Sequence, residues 1–398
     1  MKIFHIGSDS HFVDYLVARF ERLAPGANVL VQATSRDPRP VEFTGPSSWV
    51  LPTSENVDLV VEQLQAADVV VVHAMSDFAA LVCAQLPPEV IVVWSGFGFD
   101  YYRGEAADDL YGVRTLNLLK RVHRGKVPDR LGRLVVEGQP GSLEGAALDM
   151  VRQTVARRTD FFSAPAPPDL DVFTRAFPGF RGEYRQLNYG DIVSMCRAGD
   201  AVARGNDILV GNSAAWTNNH LETFRRLADT DLGSRRVVVP LTYGDNAYRD
   251  GVVRGGERLL GEHFFPIVEH LPIEEYLDIV AGCGVAVFLH RRQQGLGNIV
   301  AAVQQGTHVY LDRRNPLYAW LRELGLDIHR AAELQEALPE GPVDAASLAR
   351  HREVLAGFWG TDRVEANLAR FVAELEKRVS ASARRARRQR VLPGRRNR

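Results

Sequence analysis

Val285-Ala286-Val287-Phe288-Leu289-His290-Arg291-Arg292-Gln293-Gln294-Gly295-Leu296-Gly297-Asn298 is the stretch that decides how the chain is read. Its first five residues are continuously apolar and too few for a buried helix, so 285–289 reads as a strand buried on both faces. A polar loop with two glycines follows, then an apolar helix over 298–305 and a second strand over 307–311. Strand, glycine loop, helix and strand make a βαβ unit. The loop then falls at the carboxyl end of a strand, where open parallel sheets bind ligands. Gly295 and Gly297 would let the backbone approach an anion, and the N–H groups of residues 298–300 would face it. Arg291 or Arg292 would complete a diphosphate clamp. The competing reading is a tight turn with a glycine at a helix start.

Working outward, the same alternation fills the chain. Behind the opening stretch lie strands at 207–210, 236–240 and 265–268, with helices at 220–228, 248–260 and 272–281. An earlier series has strands at 3–6, 28–32, 68–73, 90–94, 160–163 and 184–188. Its helices are expected at 11–23, 57–66, 77–86, 106–123, 146–159 and 168–177. A polar, glycine- and alanine-rich stretch at 197–206 reads as the linker between an N-terminal domain, 1–196, and a C-terminal domain, 207–347. A helical segment at 348–379 and a basic tail at 380–398 complete the chain, the tail expected to be disordered alone. Two doubly wound, Rossmann-like halves facing a central cleft are the α/β architecture of GT-B glycosyltransferases and of the nucleotide-sugar 2-epimerases.

The 398 residues hold 48 Lys and Arg against 49 Asp and Glu, but the signs are segregated. From Lys377 onward there are ten basic residues and no acidic one, so the first 376 residues carry a net charge of −11. An acidic body argues against a nucleic-acid-binding face, which needs clustered Lys and Arg. Three cysteines are too few for a disulfide framework or a zinc site. No apolar run approaches a membrane span, and no leader-like apolar core opens the chain, so the protein is expected to remain in the cytoplasm. The basic tail reads either as an anchor to an anionic membrane surface or as a solvated appendage.

Further candidates follow from their places at strand ends. Gly211-Asn212-Ser213 is a second phosphate or nucleotide contact or a plain turn, with Asn218 or Asn219 as helix cap. Gly7-Ser8-Asp9 occupies the equivalent place in the first domain, where Asp9 is either a general base on an acceptor hydroxyl or an N-cap. His73 closes an apolar strand and is a second candidate base or a structural histidine. The run Trp94 to Tyr102, aromatic and glycine-rich around Asp100, would stack on sugar rings or pack a turn. Asp169-Leu170-Asp171 and Asp229-Thr230-Asp231 lack further ligands and read as caps and surface acids, so no metal and no cofactor is expected.

Together these residues resemble the bacterial 4-acetamido-4,6-dideoxy-D-galactose transferases, glycosyltransferase family 56. The resemblance runs through Ile6-Gly7-Ser8-Asp9, His73, Trp94-Ser95-Gly96-Phe97-Gly98-Phe99-Asp100-Tyr101 and Ile208 to Ser213 with Asn218 to His220. It continues in Val237 to Pro240 with Tyr243, then Arg292-Gln293-Gln294-Gly295-Leu296-Gly297 with Gln304, and Asn315-Pro316. The resemblance implies metal-independent transfer from a dTDP-sugar to a polyprenyl-diphosphate-linked saccharide, lipid II of enterobacterial common antigen. It also implies peripheral association with the cytoplasmic face of the inner membrane. Donor-site candidates are then Gly211, Asn212, Ser213, Tyr243, Arg291, Arg292, Gln294, Gly295, Gly297 and Gln304. Acceptor-site candidates are Gly7, Ser8, Trp94, Asp100 and Tyr101, with Asp9 and His73 as catalytic candidates. The alternatives are a nucleotide-sugar 2-epimerase and a non-catalytic nucleotide-sugar-binding scaffold.

Overall fold

The structure, a computed structural model, describes residues 1–8, 11–35, 42–129, 134–136, 143–196, 201–335 and 338–391. The chain divides into two compact units.

The first unit comprises Met1–Tyr101, Ser142–Tyr189 and Asp362–Arg398. Its strands are β1 (Ile3–Gly7), β2 (Asn28–Ala33), β3 (Ser47–Val50), β4 (Val69–His73), β5 (Ile91–Ser95), β8 (Phe161–Ser163) and β9 (Glu183–Tyr184). Its helices are α1 (His11–Leu23), α2 (Glu55–Leu64), α3 (Asp77–Ala84), α5 (Leu143–Arg158), α6 (Asp169–Ala176) and α14 (Thr361–Val391). Among the described residues the strands form one parallel sheet in the order β3-β2-β1-β4-β5-β8-β9. β4 is four valines and a histidine, all buried. β-Branched side chains suit a strand covered on both faces. α1 buries Val13, Leu16, Val17 and Phe20, a helical stripe against that sheet.

The second unit comprises Tyr102–Gly141 and Gly190–Thr361. It contains α4 (Val113–Val122), the antiparallel pair β6 (Lys126–Pro128) and β7 (Leu134–Val136), and α7 (Ile192–Met195). Then come β10 (Asp207–Val210), α8 (His220–Ala228), β11 (Val237–Pro240), α9 (Asn246–Leu260), β12 (Phe264–Ile267) and α10 (Ile273–Ala281). β13 (Cys283–Phe288), α11 (Leu296–Gln304), β14 (His308–Leu311), α12 (Pro316–Glu323), β15 (Ile328–Arg330) and α13 (Ala345–Trp359) complete it. The parallel sheet runs β12-β11-β10-β13-β14-β15. Counted within the unit this is the order 3-2-1-4-5-6 of dinucleotide-binding folds, and it reverses direction between β10 and β13.

Where the sequence reading draws one boundary at 197–206, the folded chain interleaves. Residues 102–141 join the second unit because α4 buries Leu118 and Leu119 in the core built on β10, β11 and β13. The chain end returns to the first unit because Leu368, Phe371, Val372 and Leu375 of α14 share a core with Ile3, Val69, Val71 and Phe161. Arg185 secures that helix with bonds of 2.8 and 2.9 Å to the Glu374 carboxylate. The expected single helical segment over 348–379 is two helices, with Gly360 extended between them. The backbone expected to be disordered from 380 is helical as far as Val391, and residues 392–398 lie outside the described residues.

Candidate active site

At the carboxyl ends of β10 and β13, where the second sheet reverses direction, two glycine loops meet. Gly211 follows β10 with φ +68°, and Gly295 precedes α11 with φ +64°, both in the left-handed region that suits glycine. Gly211 has a second constraint. A β-carbon there would lie 2.6 Å from Asn218 Oδ1 and 3.0 Å from His220 Nε2.

Asn218 holds the first loop together. Its Nδ2 donates to the carbonyls of Ser213 at 3.0 Å and Ala215 at 3.2 Å, and its Oδ1 accepts the N–H of Asn212 at 3.1 Å. The same oxygen lies 2.6 Å from Nε2 of His290, the first residue past Leu289. Asn219, in the left-handed region at φ 52°, donates to the carbonyls of Leu110, Thr217 and Leu289 and accepts the N–H of Gly112 at 2.8 Å. Both asparagines join loops, and the side chain of Asn219 does not cap α8, against the expectation from sequence.

The second loop is tied in the same way. Thr217 Oγ1 donates to Gln294 Oε1, which also accepts Arg292 Nε at 3.0 Å. Gln294 Nε2 reaches Asn212 Oδ1 at 3.3 Å, and Asn212 Nδ2 lies 3.5 Å from the Tyr243 hydroxyl. Tyr102 OH accepts the N–H of Gln293 at 2.9 Å. Gly211, Asn212, Ser213, Tyr243, Arg292, Gln294, Gly295 and Gly297 therefore converge as expected from their strand ends. Arg291 borders them but is engaged elsewhere. It pairs with the Asp109 carboxylate at 2.5 Å, donates to the carbonyls of Asp109 and Tyr111, and approaches Asp312 at 3.6 Å. It fastens the 109–111 segment instead of standing open as a clamp.

Two other expectations change. α11 begins at Leu296, and Ile299 N already bonds Gly295 O, so the first-turn N–H groups are those of 296, 297 and 298 rather than 298–300. Gln304 is the last residue of α11 and lies about 12 Å along the helix from Leu296. Its carbonyl accepts Arg352 Nε at 3.0 Å. It stands apart from the loops.

His290 and His220, both fully buried, are site residues that the sequence reading misses. Burial pushes His290 down to about 3, with the Arg292 charge acting in the same direction, and burial alone brings His220 to about 3. Both rings are neutral and lie wholly buried beside the Gly211 loop, where they support it. The available signal is a pair of adjacent asparagines between a glycine loop and a histidine, a pattern that reads equally well as a helix cap.

In the first unit, Gly7 ends β1 and its Cα packs so that a β-carbon would lie 3.3 Å from His73 Cβ. Ser8 is exposed, and Asp9 lies outside the described residues. His73 is 1% exposed and closes a buried chain of groups. Its Nε2 lies 3.0 Å from His5 Nδ1, and His5 Nε2 lies 3.1 Å from Asn28 Oδ1. Asn28 can only accept there, so His5 Nε2 and then His73 Nε2 carry the protons. Burial holds His73 well below its ordinary value and His5 near 4, so both rings are neutral. So placed, His73 supports the strand ends.

The aromatic segment is likewise core. Trp94, Asp100 and Tyr101 are fully buried. Asp100 accepts from Trp94 Nε1 at 2.7 Å, Phe97 N at 2.9 Å and Met75 N at 3.0 Å. Trp94 packs on Phe173 and Phe177, and Tyr101 on Phe162. Only Phe99 of this segment is largely exposed, at 58%. Of the two Asp-x-Asp triplets, Asp169 is buried at the start of α6, against the expectation of a surface acid, and Asp229 pairs with Arg225 at 3.2 Å.

Residues 192–339 match the family model described as 4-alpha-L-fucosyltransferase, glycosyl transferase group 56. The fold resembles OtsA in its apo form, with a TM-score of 0.62 at 11% identity over 94% of this chain and 99% of that one. Sucrose-phosphate synthase from Thermosynechococcus elongatus matches with a TM-score of 0.60 at 12% identity, over 95% of this chain and all of that one. HepE from Anabaena, solved in complex with UDP and glucose, matches with a TM-score of 0.60 at 12% identity, over 94% and 100%. At these identities the likeness concerns the fold, and the family match carries the chemistry. The chain is a glycosyltransferase of GT-B fold, and its residues 192–339 match group 56.

Proposed function

We propose that the protein transfers a 6-deoxy-acetamido sugar, 4-acetamido-4,6-dideoxygalactose or a relative, from a dTDP donor to a lipid-linked saccharide in cell-surface polysaccharide synthesis. The observation that carries the donor reading is the meeting of the Gly211 and Gly295 loops at the reversal point of the second sheet. A nucleoside diphosphate there would receive the first N–H groups of α11 and the Arg292 guanidinium. Both favour negative charge on the departing diphosphate, the charge that grows as the glycosidic bond breaks. In this reading they act without a metal ion. The family description names a fucosyltransferase, and fucose is itself a 6-deoxygalactose, which supports a 6-deoxy donor. HepE was solved with UDP, so uridine donors belong in the same trial.

On the acceptor side, Gly7 and Ser8 would position the hydroxyl and Asp9 would deprotonate it, with His73 holding the strand ends beneath them. The basic residues from Lys377 to Arg398 would draw the protein to the anionic cytoplasmic leaflet where a polyprenyl-linked acceptor resides.

A thermal-stabilisation screen of dTDP- and UDP-sugars, followed by turnover on a polyprenyl-diphosphate saccharide, tests the proposal. A ligand specific to the native state raises the unfolding temperature. Stabilisation by dTDP-sugars with transfer to the lipid-linked acceptor, undiminished in EDTA, is expected. Conversion of the free nucleotide sugar without acceptor would overturn it in favour of an epimerase, and loss of activity in EDTA restored by magnesium would remove the metal-free step. Deletion of residues 381–398 should weaken binding to anionic vesicles at low salt, and unchanged binding would remove the anchor.

A further inference from the structure

α4 and α9 carry matching stripes. Arg114, Asn117, Leu118 and Arg121 are spaced i, i+3, i+4, i+7 on α4, and Gly251, Arg254, Gly255 and Arg258 have the same spacing on α9. That spacing places each set on one helix face. Where two helices pack, such a face is ordinarily apolar. Here the two stripes line one groove of 330 Å³ in the second unit, with four arginines along it.

The glycines explain how the helices come close. A β-carbon at Gly251 would lie 2.5 Å from Leu118 Cδ1, and one at Gly255 would lie 2.5 Å from Leu221 Cδ2. Gly251 thus lets α9 approach α4 and Gly255 lets it approach Leu221 of α8, leaving a floor of Leu118 and Leu221 beneath the charges. The four guanidinium groups are exposed, and among the described residues no hydrogen bond or ion pair engages them. Arginines elsewhere in this acidic body do find carboxylates, including Arg152, Arg185, Arg291 and Arg314.

Among the described residues no acid lines the groove itself. Glu222 is committed to the start of α4, where it accepts Arg114 N at 2.7 Å, Thr115 N at 3.0 Å and Thr115 Oγ1 at 2.6 Å. Asp250 and Glu257 line an adjoining surface depression that Arg254 also borders, and Asp250 pairs with Arg249 at 3.1 Å. Helix-dipole complementarity accounts for Arg121 and Arg258, which lie in the last turns of their helices. It does not account for Arg114, in the first turn of α4, where the positive end of the dipole opposes it, or for Arg254 in mid-helix.

We propose that the α4–α9 groove is a second anion site, distinct from the strand-end loops, that binds a phosphate-bearing ligand through guanidinium pairs. Planar forks of this kind match phosphate oxygens two at a time. The ligand is either a free phosphate or diphosphate, or the phosphate headgroup of a lipid, and the test separates the two sources.

The full chain and its Arg254→Gln/Arg258→Gln variant are compared; glutamine retains helix propensity close to that of arginine. One arm titrates sodium pyrophosphate and reads hydrogen exchange of residues 113–122 and 246–260, which reports this groove and not the loops at 211 and 295. The other measures co-sedimentation with phosphatidylglycerol–phosphatidylcholine vesicles, the tail being identical in both proteins. Protection by pyrophosphate that weakens at least about tenfold in the variant assigns a free phosphate ligand. Vesicle binding that weakens about thirty-fold, as loss of two arginines from an anionic surface predicts, assigns a headgroup. If wild type and variant behave alike in both arms, the groove is only a solvated basic face and the proposal fails.

Discussion

His290 Nε2 lies 2.6 Å from Asn218 Oδ1, and this one bond sets the chemistry of both residues. Asn218 Nδ2 faces the carbonyls of Ser213 and Ala215, so its oxygen must face Asn212 N and the imidazole. An amide oxygen only accepts, so His290 carries its proton on Nε2. Replacing Asn218 by alanine strands two carbonyls, an N–H and an imidazole N–H in a buried place. The expected cost is about 2–4 kcal/mol, because each orphaned buried group costs about 1–3 kcal/mol and relaxation recovers part. Urea unfolding measures it, and a wild-type midpoint would contradict the role assigned to Asn218.

Four buried imidazoles give the stability a pH dependence of definite sign. Burial depresses His5 to about 4, His220 and His290 to about 3, and His73 well below its ordinary 6.5. Below pH 6.5 the unfolded chain takes up protons at these positions and the folded chain does not. Their stabilisation is therefore fully present above 6.5 and is lost as pH falls toward 3–4. Each contributes a slope on the order of 1 kcal/mol per pH unit within that window. The urea midpoint should fall clearly between pH 7.5 and pH 5.5, and an unchanged midpoint would mean that these rings are not neutral and buried.

Arg291 and Arg292 are adjacent in sequence but differ in surroundings, and their variants should separate. Arg291 is bound to Asp109 and to two carbonyls, so Arg291→Lys, which loses the planar fork, should lower the unfolding midpoint. Arg292 borders the Gln294–Asn212 network, so Arg292→Gln should raise the donor dissociation constant roughly tenfold or more at nearly constant stability. Calorimetric titration of donor with parallel unfolding curves decides. The reverse pattern would exchange the two arginines' roles.

Alternation and helical periodicity are enough to find both sheets, because strands buried on two faces are written as apolar runs. α1 and α8 match the sequence reading residue for residue, since each puts its apolar stripe on one face. β3 escapes it because it is a short edge strand, Ser-Ser-Trp-Val, with mixed exposure. The interleaving of the units escapes for a different reason. Which core Leu118 or Phe371 joins is a tertiary fact that no local spacing encodes. The glycine loops are legible as strand-end punctuation, whereas Trp94, Asp100 and Tyr101 are core residues that the sequence places at a sugar site. An aromatic, glycine-rich run has the same composition whether it lines such a site or fills a core, and only burial separates the two.

That distinction gives the last test, a comparison of Asp100 with Phe99. Asp100, fully buried, accepts hydrogen bonds from Trp94 Nε1, Phe97 N and Met75 N. In Asp100→Asn one carboxylate oxygen becomes an NH2 that must face a donor, so at least one bond is replaced by a repulsive contact. A loss of about 2–4 kcal/mol in stability is expected. Phe99 is 58% exposed and stacks only loosely on Phe97, with ring centroids 6.5 Å apart. Phe99→Ala should leave stability within about 0.5 kcal/mol, as surface changes usually do. Being the most exposed aromatic ring of this loop, Phe99 is the one best placed to stack on an acceptor sugar. Phe99→Ala should therefore raise the acceptor KM several-fold while the donor KM stays constant. If Asp100→Asn retains wild-type stability and instead raises the acceptor KM, then Asp100 touches the acceptor after all and the packing account of this loop is wrong.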